Sequence, residues 1–195
     1  EQTWWQRFFD FYPFYLAATE GETLLKDGKA AFNNEAGLEI VKLFRTLFEE
    51  KLAPNSTYKE NLLAKGKVSM TITGPFALAD LKKQAPDMEI GVAPIPVPDG
   101  KEGKEVITYG DPKNIGIFST TKHPKEAWEF AKFLISKEND RKFLEMTQQI
   151  PFRKGIDQDP ETKKFFEDNP VLQAFAKQAP YTRATDDSDK LTDIF

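Results

Sequence analysis

The sequence predicts an α/β fold, a mixed sheet flanked by helices, and three patterns carry that expectation. Val68, Met70 and Ile72 alternate with Ser69, Thr71 and Thr73, the two-residue period of a strand with one packed face. Gly74-Pro75 then ends the strand, because proline has no N–H for a ladder, and Phe76-Ala-Leu-Ala-Asp-Leu81 begins a helical pattern. Leu38, Val41, Phe44, Leu47 and Phe48 recur at helical spacing, as do Ala127, Phe130, Ala131 and Leu134, so helices with one apolar stripe alternate with extended pieces.

The amino-terminal segment is the most aromatic. Trp4, Trp5, Phe8, Phe9, Phe11, Tyr12, Phe14 and Tyr15 place eight rings in fifteen residues, too many to leave in water without packing or binding something. Phe8, Phe11, Tyr12 and Tyr15 keep helical spacing, with Pro13 at a kink or a helix start. Most of these rings are core by default. Trp4, Trp5 and Tyr12 are the better binding candidates, since an indole or phenol can stack through its face while its polar edge reaches a hydroxyl.

Lys26-Asp27-Gly28-Lys29 lies between short extended pieces of the 21–32 segment and reads as a tight hairpin. Asn33 or Asn34 can cap the following helix, which Lys51-Leu-Ala-Pro54 closes. A short helix over 58–65 ends at Gly66 and leads into the 68–73 strand. Beyond the corner helix, 89–97 is strand-like and punctuated by prolines, and 99–103 is a solvated turn. Ile115-Gly-Ile-Phe-Ser119 has a short buried-strand pattern. Pro124 opens a helix, Ser136 caps another bearing Phe143, Leu144 and Met146, and short helices surround Phe165, Phe166, Leu172 and Phe175. A turn at Asp186-Asp187-Ser188 can start one more helix at Asp189.

Composition narrows the function classes. With 195 residues, 39% hydrophobic and 30% charged, the chain has the make-up of a globular protein able to bury one sizeable core or two small ones. Its net charge of −4 comes from interspersed acids and bases with no basic stripe, which argues against nucleic acid as a partner. No apolar run approaches the roughly 20 residues needed to span a bilayer, and no cationic-apolar leader opens the sequence, so the reading is of a soluble, unanchored chain. The lack of cysteine removes disulfides and thiolate chemistry, and the single histidine, His123, removes multi-histidine metal sites. His123 precedes Pro124 at a helix start and reads as a solvated residue there. No cofactor and no metal are expected.

Phe76 sits where the backbone turns and helix amide groups point outward. A rigid ring beside N–H donors suits a ligand with flat C–H patches and hydroxyls, such as a sugar. The other reading is a core ring beneath a turn.

The stretch KGKVSMTITGPFALADL resembles the GPWALADL element of family 1 extracellular solute-binding proteins, the carbohydrate-capturing components of ABC importers, with Phe76 in place of the usual Trp. The likeness runs in order through LLKDGKAAFNNEAGLEIVKLFRTLFEEKLAP, LLAKGKVSM, IGVAPIPVPDGKEG, TYGDPKNIGIFSTTKHPKEAWEFAKFLIS and QQIPFRKGI. It implies a periplasmic-binding-protein-like fold of type II, two α/β lobes joined by crossing strands with the ligand held in the cleft. On that basis 1–106 and 155–195 would form the second lobe, and 107–154 the hinge crossing and part of an incomplete first lobe.

The resemblance implies stacking on the ligand by Phe76, Trp5 and Tyr12, with further contacts from Tyr109-Gly110-Asp111 at the crossing and from Arg153 in the IPFR segment. Arg183 aligns only loosely. Asp111 can accept from two sugar hydroxyls, or serve as a turn residue before Pro112; Arg153 can donate a fork of hydrogen bonds, or be a surface cation. The implied activity is non-catalytic capture of a sugar or oligosaccharide for delivery to a membrane ABC permease, in an extracytoplasmic location. A sensor or adaptor using the same cleft is the alternative. Glycoside hydrolysis would need two carboxylates roughly 5 to 10 Å apart, and Glu20, Asp80, Asp111 and Asp186 lie in no acid/base motif. The rings favour a neutral sugar over a phosphate, for which no Gly-rich cradle appears. The first hundred or so residues of the family have no counterpart here, so a second polypeptide or copy is expected to supply the missing half of the first lobe.

Overall fold

The computed structural model describes residues 4–56, 58–103, 105–156 and 158–184, with side chains from Asp10 onward. It is a helix-rich mixture of helix and short sheet. Contacts divide the chain into two compact units, residues 1–72, 93–111 and 181–195 in the first and 73–92 and 112–180 in the second.

The first unit is organised around α1, Trp4–Thr19, which continues past Pro13 without a break. The missing N–H leaves one helical bond unmade, a cost of about 3 kcal/mol in an isolated helix. Burial of Tyr12, Tyr15, Leu16 and Ala18 against Leu24 and Ile40 outweighs it. Phe14 meets Phe44 edge-on at 5.4 Å and Phe11 stacks on Tyr15 at 6.0 Å, so the described rings of this segment are largely core. Past the helix end, Gly21 takes φ +98° and its N–H reaches back to the Leu16 carbonyl at 2.9 Å. A side chain there would press on Ile107, 3.0 Å away.

The expected hairpin is present, β1 (Leu25–Lys26) pairing antiparallel with β2 (Lys29–Ala30). Asp27 and Gly28 both have positive φ, 52° and 70°, the requirement of the tight hairpin turn. Asn34 then caps α2, Glu35–Glu49, by accepting the Gly37 N–H at 3.0 Å. The same side chain donates to the Tyr15 hydroxyl at 2.8 Å and to the Ala31 carbonyl at 3.0 Å, tying α2 to α1 and to the hairpin.

The inward face of α2 is not the expected stripe. Gly37 and Ile40 are buried, with Ala36 and Phe44 packed beside them, whereas Leu38, Val41 and Phe48 are exposed. The Asn34 to Tyr15 bond and a close backbone approach at Gly37, where a Cβ would fall 1.9 Å from the Phe32 carbonyl oxygen, decide which side turns inward. The segment 58–65, expected to be helical, is a run of turns closed by Lys67 N–H to the Leu62 carbonyl at 2.9 Å.

The first unit also holds β3 (Thr108–Tyr109), which pairs parallel with β4 (Thr182–Arg183). The second unit contains α3 (Phe76–Gln84), α4 (Pro124–Leu134), α5 (Lys137–Thr147), α6 (Pro160–Asp168) and α7 (Pro170–Gln178). Its core joins Leu144, Ile156, Phe166, Leu172 and Ala176, with Leu78, Ile150 and Phe165 packed against them. Helix starts follow the sequence signals. Ser136 accepts the Asn139 N–H at 3.3 Å, Asp159 accepts that of Glu161 at 3.0 Å, and Pro124, Pro160 and Pro170 open their helices.

The longer strands expected at 68–73, 89–97 and 115–119 do not form ladders, and the only sheets among the described residues are the two two-stranded ones. Alternation specifies which faces prefer burial, but a strand also needs a neighbour for its N–H and C=O groups. Among the described residues no strand pairs with these segments, and the apolar side chains at Met70 and Phe118 remain 85% and 84% exposed. On α4 Ala131 is buried while Trp128, Phe130 and Phe133 face solvent. The helix expected at Asp189 lies outside the described residues. Among the described residues, no helix is long and apolar enough to cross a membrane.

Candidate functional site

In the first unit, four of the seven expected site residues come together where β3 leaves the core. β3 lies on α1, and Tyr109 places its ring 5.7 Å from that of Tyr12 at an interplanar angle of 50°. Tyr12 is 0% exposed, its hydroxyl donating to the Ala184 carbonyl at 3.2 Å, so it forms the floor of the group. Tyr109 is half-buried, and its hydroxyl donates to Asp111 Oδ1 at 3.3 Å. Burial, the Asp111 charge and that hydrogen bond all oppose ionisation and push the Tyr109 phenol well above its ordinary 10.0.

Gly110 is required by its surroundings. Its N–H donates to the Arg183 carbonyl at 2.9 Å, and a Cβ would meet Thr182 Cβ at 2.7 Å. The absence of a side chain lets β3 approach β4 closely, and this turns Asp111 out to solvent beside Tyr109. The result is a half-buried phenol next to an exposed carboxylate. Such a pair offers a face for stacking and acceptors for hydroxyls.

Thr182 was not singled out by sequence reasoning. The pairing of β3 with β4 brings it here, and two residues of unremarkable composition carry no local signal for it. Arg183, the loosely aligned candidate, also lies at this pairing, with its Nη1 donating to the Thr182 carbonyl at 3.1 Å. The backbone of Trp5 belongs to α1, and its side chain lies outside the described residues.

Two candidates belong to the second unit. Phe76 is the first residue of α3 and is 59% exposed, which places it on the surface rather than beneath the turn. Its ring lies back over Gly74, where a Cβ would approach Phe76 Cε1 to 2.8 Å. Pro75, at the cap position, offers no side-chain bond to the helix start. Arg153 is engaged within its own unit. Its guanidinium pairs with Asp140 at 2.7 Å and donates to the Ile135 carbonyl at 2.8 Å, which ties the 149–154 segment to the start of α5. Both partners are already acceptors, so the fork is used structurally here.

Among the described residues, no group of three or more His, Asp or Glu side chains is placed to hold a metal ion. Burial holds the Asp10 carboxyl above its ordinary value.

The sequence profile of bacterial extracellular solute-binding proteins matches residues 2–174. The chain belongs to that family. A binding protein of Brucella abortus is 31% identical to this solute-binding chain over 182 residues, covering 89% of it and 42% of the relative. The maltotriose-binding protein of Pyrococcus abyssi is 27% identical over 161 residues, covering 78% of this chain and 34% of its own length. A 2.1 Å crystal structure of an uncharacterised protein from Listeria monocytogenes superposes with a TM-score of 0.85 at 30% identity, covering 98% of this chain and 49% of that one. The solute-binding chain thus spans less than half the length of each of these proteins, and the superposition shows that its fold is that of a portion of the larger Listeria protein.

Proposed function

We propose that the chain is part of a non-catalytic receptor that captures a sugar or oligosaccharide in a cleft between the lobes of the complete protein. The loaded receptor delivers the ligand to a membrane ABC permease from an extracytoplasmic location. Membership of the solute-binding family is the observation that carries this reading. The maltotriose-binding relative favours a carbohydrate, and the chemistry on the surface agrees: an exposed ring at Phe76 and a phenol beside a carboxylate at Tyr109 and Asp111. In this reading Phe76, Trp5, Tyr109, Gly110 and Asp111 contact ligand, Tyr12 supports Tyr109 from the core, and Arg153 holds the segment that carries its own contacts.

We assign residues 1–106 and 155–195 to the second lobe and 107–154 to the hinge crossing and part of the first. The remainder of the first lobe comes from polypeptide outside this sequence, whether the rest of a longer chain, a second chain or a second copy. Exposed apolar side chains at Ile115, Ile117, Phe118, Trp128 and Phe133 support that assignment, because lone chains seldom leave so many together in water. Function then requires no bond breaking. The ligand shifts the receptor toward its closed form to the extent that it binds that form more tightly.

A thermal-shift screen of neutral sugars against the complete receptor tests the reading. A ligand at a hundredfold above its Kd stabilises by about 2.7 kcal/mol. Phe76→Ala and Asp111→Asn should each remove most of the shift given by the best sugar. Retention of the full shift by both variants would remove these residues from the site, and silence across the panel would count against sugar as the ligand.

A further inference from the structure

In the first unit α2 carries a second apolar stripe, apart from the side that packs on the core. Leu38, Val41 and Phe48, with Arg45 between them, follow the three-and-four spacing of one helix face, and all four are exposed. Past the helix end Lys51 takes φ +58° and donates its N–H to the Phe48 carbonyl at 3.2 Å, while the Leu52 N–H reaches the Leu47 carbonyl at 2.8 Å. This closure returns Leu52, itself 66% exposed, to the last turn, so apolar surface continues past Glu49. Lys42 flanks the stripe and Lys51 follows its end, both exposed, and Arg45 pairs with Glu49 at 2.7 Å.

The chain leaves the described residues close to this helix. Ala184 is held in the same unit, its carbonyl accepting from the Tyr12 hydroxyl at 3.2 Å just after β4 pairs with β3. The helix that carries Tyr12 also packs on α2, through Phe14 and Phe44. Extended chain covers about 3.3 Å per residue, so 185–190 alone can span about 20 Å, more than the width of a helix at about 10–12 Å. Residues 185–195 lie outside the described residues, and their sequence, TDDSDKLTDIF, matches the stripe in two ways. Leu191, Ile194 and Phe195 have the spacing of one helix face. Asp186, Asp187 and Asp189 precede them with the charge opposite to that of Lys42 and Lys51.

A second copy of the chain fits the stripe less well. Two-fold pairing of like stripes sets the middle residue against itself, and between Leu38 and Leu52 that residue is Arg45, so two cations would meet at the axis. A segment already tethered beside the helix has an effective concentration on the order of millimolar and needs no second molecule. We propose that residues 185–195 dock on the outer stripe of α2 as a strap, with Leu191, Ile194 and Phe195 against Leu38, Val41 and Phe48 and the aspartates toward the flanking lysines. The strap continues directly from β4, so its docking also holds β4 on β3, the pairing that shapes the Tyr109 group. This inference is independent of the sugar reading.

The chain has no cysteine, so one introduced thiol reports on one position. Labelling of Val41→Cys by N-ethylmaleimide in the full chain should run about tenfold more slowly than labelling of Lys26→Cys in the exposed hairpin, the ratio for a stripe uncovered about a tenth of the time. Adding Leu191→Asp and Ile194→Asp should bring the Val41→Cys rate up to that of the control, which itself stays the same. Under mild oxidation Val41→Cys should close a disulfide within one chain with at least one of Leu191→Cys, Ile194→Cys and Phe195→Cys, which requires the Cα atoms to come within about 7 Å. Lys26→Cys should close none. Equal labelling rates at positions 41 and 26, or protection that survives the two aspartates, would overturn the proposal. Protection lost on dilution, as a second copy would give, or disulfides formed only between chains or not at all at position 41, would overturn it as well.

Discussion

At the scale of single residues, Gly74 and Gly110 each stand where a side chain would collide with a neighbour at the candidate site. Gly74 leaves room for the Phe76 ring to fold back, and a methyl there would stand 2.8 Å from the ring edge. Gly74→Ala should therefore displace the ring and weaken sugar binding nearly as much as Phe76→Ala, with little change in the melting temperature, since Phe76 is exposed. Parallel thermal-shift titrations of the two variants check this. The Tyr109 and Asp111 pair gives a spectroscopic prediction. Burial, the neighbouring charge and the donated hydrogen bond all raise the phenol, so Asp111→Asn should lower its pKa toward 10.0 while leaving the burial contribution in place. Phenolate absorbance followed against pH measures the shift directly. Asp10 gives a stability prediction of known sign. Burial favours its protonated form, so its folded pKa lies above 3.8, and the stability gained from protonation is present below that value and lost as pH rises through the folded pKa. Asp10→Asn should then raise the melting temperature at neutral pH and lose that advantage at pH 3.

At the scale of elements, the sequence was most legible where one residue decides one backbone event. Asn34, Ser136 and Asp159 cap helices, and Asp27-Gly28 turns a hairpin, because each relies on a local hydrogen bond or a positive φ that no distant contact has to supply. The strands were not legible in the same way. Val68, Met70 and Ile72 have the right alternation, but a ladder depends on a partner that alternation cannot name, and Met70 is consequently exposed. The inward face of α2 was missed for a related reason, since Gly37 carries no hydrophobic signal yet makes the closest approach. Asn34→Ala should cost about 1–2 kcal/mol by removing the cap, and more than Asn34→Asp, which keeps the acceptor for Gly37 but loses the donor to Tyr15. Urea denaturation of the two variants measures the difference. For the site, the Tyr109-Gly110-Asp111 group could be anticipated, whereas Thr182 enters only through the pairing of β3 with β4.

At the scale of the whole molecule, the chain covers less than half of the relatives it matches, and its surface bears the corresponding apolar load. Trp128, Phe130 and Phe133 on α4 are each more than half exposed, as is Phe118 in the preceding segment. The polypeptide on its own should therefore self-associate as its concentration rises and bind a hydrophobic dye, and polypeptide supplying the remaining portion of a family member should suppress both. Light scattering with and without that portion reads the outcome, and a monodisperse monomer that ignores the dye would count against the lobe assignment. Sheet structure is confined among the described residues to pairs only two residues wide. In deuterated solvent the last amides to exchange should accordingly lie in the middle of α1, α2, α5 and α7, while the 68–74 and 112–119 stretches take up label within the shortest pulse.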